Sequence, residues 1–495
     1  MTNKLVSLFE IIFLSFSCLV FCYMVQAAAQ KNFLALLFLP IIFYIIYLFK
    51  NKNINIKLPD KKSNIWFRLY GALWIINFIM LFVFAFSLET ELSWDWKWVI
   101  EGAGNYVSDH IRPSRLYFAR YPNNQFITYI FIIFFKTLSF FNKNISMEDM
   151  KAASIILNCI VIQISVSFLY LSALALFDRK KAFGIGIISM LYTPLFLYSF
   201  LAYTDTFSLM FSSALLYLFI KLNKSRDKKK ICLYCVLTGI TAAVGKNFKL
   251  TVLIVFVAFV ICLLFDQRKK IGQKFLQLAV SAVSLLICLL IISVPVRNFF
   301  NITPQEKDKY EFPPFHWIMM SLNPIGGYDP QDVEYTAQFQ TYEERKEHDI
   351  EMIGKRVEEY GVRKLTNHIF YTKLYRTWTN PALAGDDYIN RKPVHEDNFL
   401  SNLFRLNGKY YYWFYSYISA VHLLILAGCI LSSIKILRHK NYNWSIIMCQ
   451  LAVFGVALFL CIWECNSRYL FTFIPMLLFT SFYGYKHYSP KISSV

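Results

Sequence analysis

The sequence predicts an all-α polytopic membrane protein with about 12–13 transmembrane helices and an extracytoplasmic, mainly helical cap. Three observations predict it. Hydrophobic residues make up 57% and charged residues 17% of the 495 residues, with a mean hydropathy of +0.43. Apolar runs of about 20 residues recur along the chain, each long enough to cross roughly 30 Å of hydrocarbon at about 1.5 Å per residue. Lys and Arg gather in short loops between those runs, which is the pattern of cytoplasmic loops. The net charge of +20 is therefore a sidedness signal and implies no nucleic-acid partner.

In order, the runs are 6–28, 32–49, 65–88, 126–141, 153–177, 183–200, 206–222, 231–247, 250–265, 275–296, 411–435, 444–463 and 469–486. The first is too long for a signal-peptide core and leads at once into a second span, which disfavours cleavage. Five basic loops mark the cytoplasmic side: Lys50 to Lys62, Arg179 to Lys181, Lys224 to Lys230, Arg268 to Lys270, and Lys435 to Lys440. The stretches 89–123 and 297–410 then face outward, as do the turns near Asp205, at Lys246 to Lys249 and at 464–468. Parity requires an odd number of crossings between 123 and Arg179, where two runs lie. The short run 126–141, which carries Lys136, is therefore expected to be re-entrant or interfacial, leaving about 12 crossings.

The chain thus divides into an N-terminal transmembrane module at 1–296, a cap at 297–410 and C-terminal transmembrane helices at 411–495. Within the cap, Ile350, Ile353, Val357 and Tyr360 recur at helical spacing among charged residues, predicting an amphipathic helix. Most of the 11 cysteines fall inside apolar runs and read as buried thiols. Cys232 and Cys235 form a CxxC with no second pair to complete a metal site.

The candidate chemistry lies in the outward segments. Trp94, Trp96 and Trp98 follow a span and suggest an interfacial aromatic belt, with Asp95 between them. Asp95 is either a solvated acid at the lipid boundary or, walled by tryptophans, a general base or metal ligand. Asp205 sits at the outward end of two spans, where an acid lines a cavity or caps the following helix. Lys246 and Lys249 break the positive-inside pattern. They either bind an anionic headgroup or phosphate, or snorkel at a helix end. Glu464 and Arg468 are four apart, as in a helical ion pair, and Tyr469 follows. Asp95, Asp205, Lys249 and Arg468 all map to one side. No Walker A loop, GxGxxG or HExxH occurs, which removes nucleotide-driven chemistry from the front rank.

These residues resemble the GT-C superfamily of polytopic glycosyltransferases, which includes protein O-mannosyltransferases and aminoarabinose transferases. The resemblance covers about 65–486. It rests on the first-loop acid Asp95, on Tyr121-Pro122, on Pro194 leading to Asp205, on Lys249-Leu250-Thr251 and on Arg468-Tyr469 with Pro475 following. Leu250 stands where the family has Pro, and Asp95 has no paired acid, which leaves a divalent metal as an open question. The resemblance implies an inverting glycosyltransferase of the plasma membrane with an extracytoplasmic active site. A polyprenyl-phosphate sugar would be the donor, and an envelope glycan, a lipid or a protein the acceptor. Asp95 would be the base, with Asp205 beside it. Lys249, Arg468 and Lys246 would hold the donor phosphate. Tyr121, Asn123, Tyr469, Glu464 and Trp378 would contact substrate, and the cap, with Tyr328, Asp386 and Asp387, would bind the acceptor. A lipid-linked glycan carrier, flippase or polymerase-like exporter is the alternative, and a structural membrane subunit the third reading.

Overall fold

The protein is described here by a computed structural model covering residues 2–41, 65–440 and 442–485. The later part of the 32–49 run, the basic cluster Lys50 to Lys62 and the last ten residues lie outside the described residues. The secondary structure is helical throughout, and the only β pairing among the described residues is an isolated bridge between Thr90 and Pro393.

Long helices form along most of the apolar runs: α1 (Thr2–Lys31), α2 (Ile65–Ser87), α6 (Met147–Leu176), α8 (Thr204–Lys224), α9 (Lys228–Phe248), α11 (Ile271–Phe300), α19 (Tyr411–His439) and α20 (Trp444–Ile462). Together with Pro122–Phe141 they make nine helices, among the described residues, long and apolar enough to cross a membrane. The expected 12–13 also counted the run 32–49, whose later part lies outside the described residues, and three shorter runs. The run 183–200 is broken into α7 (Arg179–Leu191) and a single helical turn at Pro194–Leu197, because Pro194 removes a backbone donor and Thr193-Pro194 turns the chain. The run 250–265 gives α10 (Val252–Phe265), of 14 residues. The run 469–486 opens as a 3-10 turn at Ser467–Phe473 before α21 (Ile474–Tyr485).

Side-chain pairs fix how the helices run. Asn77 donates to Gln163 at 2.6 Å, Trp74 donates to Ser167 at 2.9 Å, and the Tyr70 and Tyr170 rings stack, so α2 and α6 are antiparallel. Such polar pairs satisfy one another where neither lipid nor apolar core could. The Lys224 ammonium bonds the Ala175 carbonyl, so α6 and α8 end together. Lys269 reaches Asn223 at 3.0 Å, bringing the next basic loop to that same end. Backbones touch where glycine allows it. A Cβ at Gly239 of α9 would lie 2.2 Å from the Ser281 carbonyl of α11, and one at Gly484 of α21 would lie 2.0 Å from the Gly428 carbonyl of α19.

The bundle therefore has a basic end and an opposite end. At the opposite end lie α3 (Trp94–Ser108), α4 (Arg115–Arg120) and α5 (Gln125–Phe141). Asn124, just before α5, accepts a hydrogen bond from Tyr203 at 2.8 Å at this end. Just beyond the short 142–146 link, α6 starts at this same end, because Lys151 pairs with Glu89 at 2.5 Å. A link of that length reaches about 20 Å, less than the roughly 30 Å needed to return across a bilayer. Both ends of α5 thus lie at one end of the bundle. The helix packs beside α3, and Lys136 sits over the Tyr106 ring at 4.8 Å.

α11 continues to Phe300, so the first module ends four residues later than the predicted 296, whereas α19 begins at the predicted 411. Between them lie α12 (Pro304–Tyr310), α13 (Pro314–Ser321), α14 (Pro330–Ala337), α15 (Tyr342–Asn367), α16 (Leu374–Trp378), α17 (Gly385–Ile389) and α18 (Phe399–Phe404). This segment is pinned to the end of the bundle opposite the basic loops. Arg115 forks onto Glu306 at 2.6 Å, Tyr198 donates to the Leu383 carbonyl at 2.6 Å, and Tyr23 of α1 donates to the Phe370 carbonyl at 2.8 Å. The expected amphipathic helix is α15, but its inner face differs from the predicted one. Arg345 and Asp349 are buried, while Ile350 and Val357 are exposed. Arg345 is stabilised there by the carbonyls of Asp308, Lys309, Glu311 and Phe339, so a polar clamp takes the place expected of apolar residues.

Candidate active site

The three tryptophans that follow α2 do not form one belt. They sit on a helix, where every second position turns by about 200°. Trp96 is fully buried against Phe200, and Trp98 is exposed and stacks on Tyr117 at 5.0 Å. Trp94 opens α3 with φ of 44°, a left-handed conformation that costs a bulky residue energy and marks a held position. Its ring lies 4.8 Å from Tyr203 and 5.1 Å from Tyr388.

Next to it, Asp95 is half-buried and accepts two phenol donors. Tyr117 donates to Oδ1 at 2.6 Å and Tyr203 to Oδ2 at 3.2 Å. Asn124 closes the ring, donating to the Tyr117 oxygen at 2.7 Å and sharing the single Tyr203 O–H with Asp95, its Oδ1 lying 2.8 Å from that phenol oxygen. Burial, with Asp95 adding to it, pushes the Tyr117 phenol well up, so it serves as a donor and does not ionise.

Two residues beyond Tyr203, Asp205 lies in the first turn of α8. It is not the helix cap: Tyr203 holds that place, and the Asp205 carboxylate turns to cations. Lys249 leaves α9 in an extended conformation and pairs with Oδ1, and Arg468 Nε lies 3.8 Å from Oδ2. The Asp205 side chain is 0% exposed, that of Lys249 10% and that of Arg468 19%. The acid is sealed beneath two cations that reach the surface, and the triad carries net positive charge. Arg468 Nη1 also donates to Tyr388 at 3.0 Å, and its guanidinium lies 5.8 Å from the Trp94 ring. Tyr203, Trp94 and Tyr388 therefore join the Asp95 ring to the Asp205 triad.

Most of the predicted site residues converge here. Tyr469 lies under the Lys249 ammonium at 4.7 Å and donates to Glu464 at 2.8 Å. Glu464 does not pair with Arg468, because α20 ends at Ile462 and the helical spacing is lost. Tyr121 packs on Tyr117 at 5.2 Å. Three predictions need correction. Asn123 is exposed and donates to Asn124, which is the asparagine in the site. No ion pair or hydrogen bond joins Lys246 to the triad, since it lies one turn back on α9, where Gly245 packs against Phe211. Trp378 is fully buried, 5.3 Å from Phe16 of α1, and is core.

Residues not predicted also belong to the site: Tyr117, Asn124, Tyr203, Tyr388 and Arg391. The last is exposed, with its guanidinium 4.9 Å from the Tyr388 ring and 5.8 Å from Trp94. Tyr203 stands two residues before Asp205, and Tyr117 lies in α4, within the same 89–123 stretch as Asp95. Their nearness in sequence to predicted acids was the signal available. Tyr388 and Arg391 carried none. Asp386, behind Tyr388, is buried and accepts from Tyr411 at 3.1 Å, and burial pushes its carboxyl up to about 6.

The arrangement offers a half-buried carboxylate that can take a proton, and a net-positive patch that can hold an anion. No group of three or more His, Cys, Asp or Glu suited to a metal gathers among the described residues. No curated protein matches the chain. A family model described as a conserved hypothetical integral membrane protein matches residues 11–487, and the chain belongs to that family of integral membrane proteins.

Proposed function

We propose that this protein is an inverting glycosyltransferase that moves a sugar from a polyprenyl-phosphate donor to an envelope glycan, lipid or protein on the outer face of the plasma membrane. The observation that carries the reading is the junction just described: Asp95 held by two phenols, beside two cations anchored on a sealed acid. The basic loops at the other end of the bundle support an extracytoplasmic position for it. The resemblance to GT-C enzymes supports the same assignment.

In this reading the acceptor hydroxyl enters against Asp95 Oδ2, whose bond to Tyr203 is the longer of the two at 3.2 Å. The carboxylate takes the hydroxyl proton as the acceptor oxygen attacks the anomeric carbon. The bond from that carbon to the phosphate oxygen breaks, and polyprenyl phosphate leaves with its electrons. Lys249 and Arg468 stabilise the charge that grows on the leaving group. Asp205 keeps both cations in place in the absence of donor. The 301–410 segment acts as the cap. Tyr328 of this segment is exposed and is available to contact acceptor.

Asp95→Asn tests the assignment in proteoliposomes supplied with labelled polyprenyl-phosphate sugar. Transfer is expected to be lost, with donor binding retained. Normal transfer by this variant overturns the proposal. Movement of donor across the bilayer with no product from the unaltered protein favours the carrier reading instead.

A further inference from the structure

α1 carries an acid inside its apolar length. Glu10 is fully buried. It lies toward the basic end, because Ser7, one turn earlier, bonds the Tyr442 hydroxyl beyond α19 at 3.0 Å. Its partners come from α20 and α19. Gln450 Nε2 donates to Glu10 Oε2 at 3.1 Å and lies 3.5 Å and 3.2 Å from the hydroxyls of Ser432 and Ser433.

Two buried oxygens are left without a donor, Glu10 Oε1 and Gln450 Oε1. Both belong to the same pair of side chains, and both can only accept. No ion pair reaches Glu10 among the described residues. Other titratable or charged groups on the packed elements toward this end are Lys4 on α1, Cys429, Lys435, Arg438 and His439 on α19, and Cys449 on α20; Cys18, Cys22, Tyr23 and Lys31 of α1, the tyrosines and His422 of α19, and Cys461 of α20 lie further along. Lys435 donates to the Tyr483 carbonyl at 3.1 Å, in α21. Turning the amide over does not remove the deficit. It sets the Gln450 oxygen against Glu10 Oε2, again two acceptors with nothing between them. An isolated carboxylate in this place costs far more than one that carries a proton.

We infer that Glu10 is a proton-binding site in the folded protein, its acid O–H donating to Gln450 Oε1 to close a two-bond acid–amide pair between α1 and α20. The ligand is a single proton. The far end of α20 leads into the turn that carries Glu464 and Arg468, and the far end of α1 holds Phe370 and Tyr371 through Tyr23 and Gln26. The pair therefore acts as a clasp on two helices whose other ends position the 301–410 segment and the Arg468 turn. It depends on no reading of the catalytic site.

The linkage has a definite sign. The folded protein holds a proton that an unfolded, solvated glutamate releases at neutral pH, so the clasp stabilises at low pH and is lost as pH rises far enough to remove the proton. Glu10→Gln replaces the acid O–H with an amide donor and keeps the pair closed at every pH. Glu10→Ala opens it.

The test uses the full chain in nanodiscs. Infrared difference spectra of the unaltered protein minus Glu10→Gln should show, at pH 7, the carbonyl stretch of a protonated carboxylic acid. Thermal unfolding should give Glu10→Gln a Tm close to that of the unaltered protein at pH 7 and unchanged at alkaline pH, with Glu10→Ala lower at pH 7. A carboxylate band in place of the acid band overturns the inference, as does a Glu10→Gln Tm as low as that of Glu10→Ala. If Glu10→Gln does not fold, Gln450→Leu provides the second comparison. Loss of the Gln450 oxygen should shift the acid band to the position of a free acid, and an unmoved band overturns the pairing.

Discussion

At the scale of single residues, the site turns on how buried charge is compensated. Asp205 is sealed, and its stability depends on Lys249 and Arg468. Removing one partner of such a pair leaves a buried charge exposed to a low dielectric and costs about 3–5 kcal/mol. Lys249→Met is therefore expected to lower the Tm in detergent and to abolish binding of a polyprenyl-phosphate probe. The double variant Asp205→Asn/Lys249→Met should regain most of the Tm and none of the binding. A double variant as unstable as the single one would show that Lys249 contributes packing and not charge. Asp95 differs: it is half-buried and bound by neutral phenol donors in place of cations.

At the scale of elements, close backbone contact decides which helices pair. α19 and α21 meet through Gly428 and Gly484, and a Cβ at Gly428 would lie 2.8 Å from the Ser481 Cα. Such a clash falls on backbone and cannot be relieved by a rotamer change. Gly428→Val should destabilise the protein by about 2 kcal/mol or more, read as a fall in Tm. Gly71→Ala on α2 meets nothing within 4 Å and should leave the Tm unchanged or slightly raised. Equal effects of the two would refute glycine-mediated contact as the cause.

At the scale of the molecule, the placement of α5 decides the topology. With both ends at the end opposite the basic loops, it lies along that end next to α3. Cysteines placed at Lys143 and Lys307 should then label with an impermeant reagent from one face of sealed vesicles, and one at Lys229 from the other. The background should lack Cys22 and Cys232, which are exposed. Labelling of the Lys143 and Lys229 positions from the same face would show that Gln125–Phe141 crosses the bilayer.

The sequence by itself determined the membrane class, the long helices and the two ends of the bundle, because hydrophobic length and basic loops are local properties that the bilayer reads directly. It also carried Asp95, Asp205, Lys249, Arg468, Tyr469 and Glu464, each a polar residue out of place at the end of an apolar run. The tertiary structure alone decided what those residues do to one another. The pairing of Lys249 and Arg468 on Asp205 spans 44 residues in one case and more than half the chain in the other. Tyr388 and Arg391 reach the site from a segment of ordinary composition, and Trp378 leaves it for the core. Helical periodicity, with its turn of about 100° per residue, also scattered three tryptophans that look alike in sequence. The physical reason is common to all of these: burial and charge compensation depend on neighbours distant in the chain, and only packing brings those neighbours together.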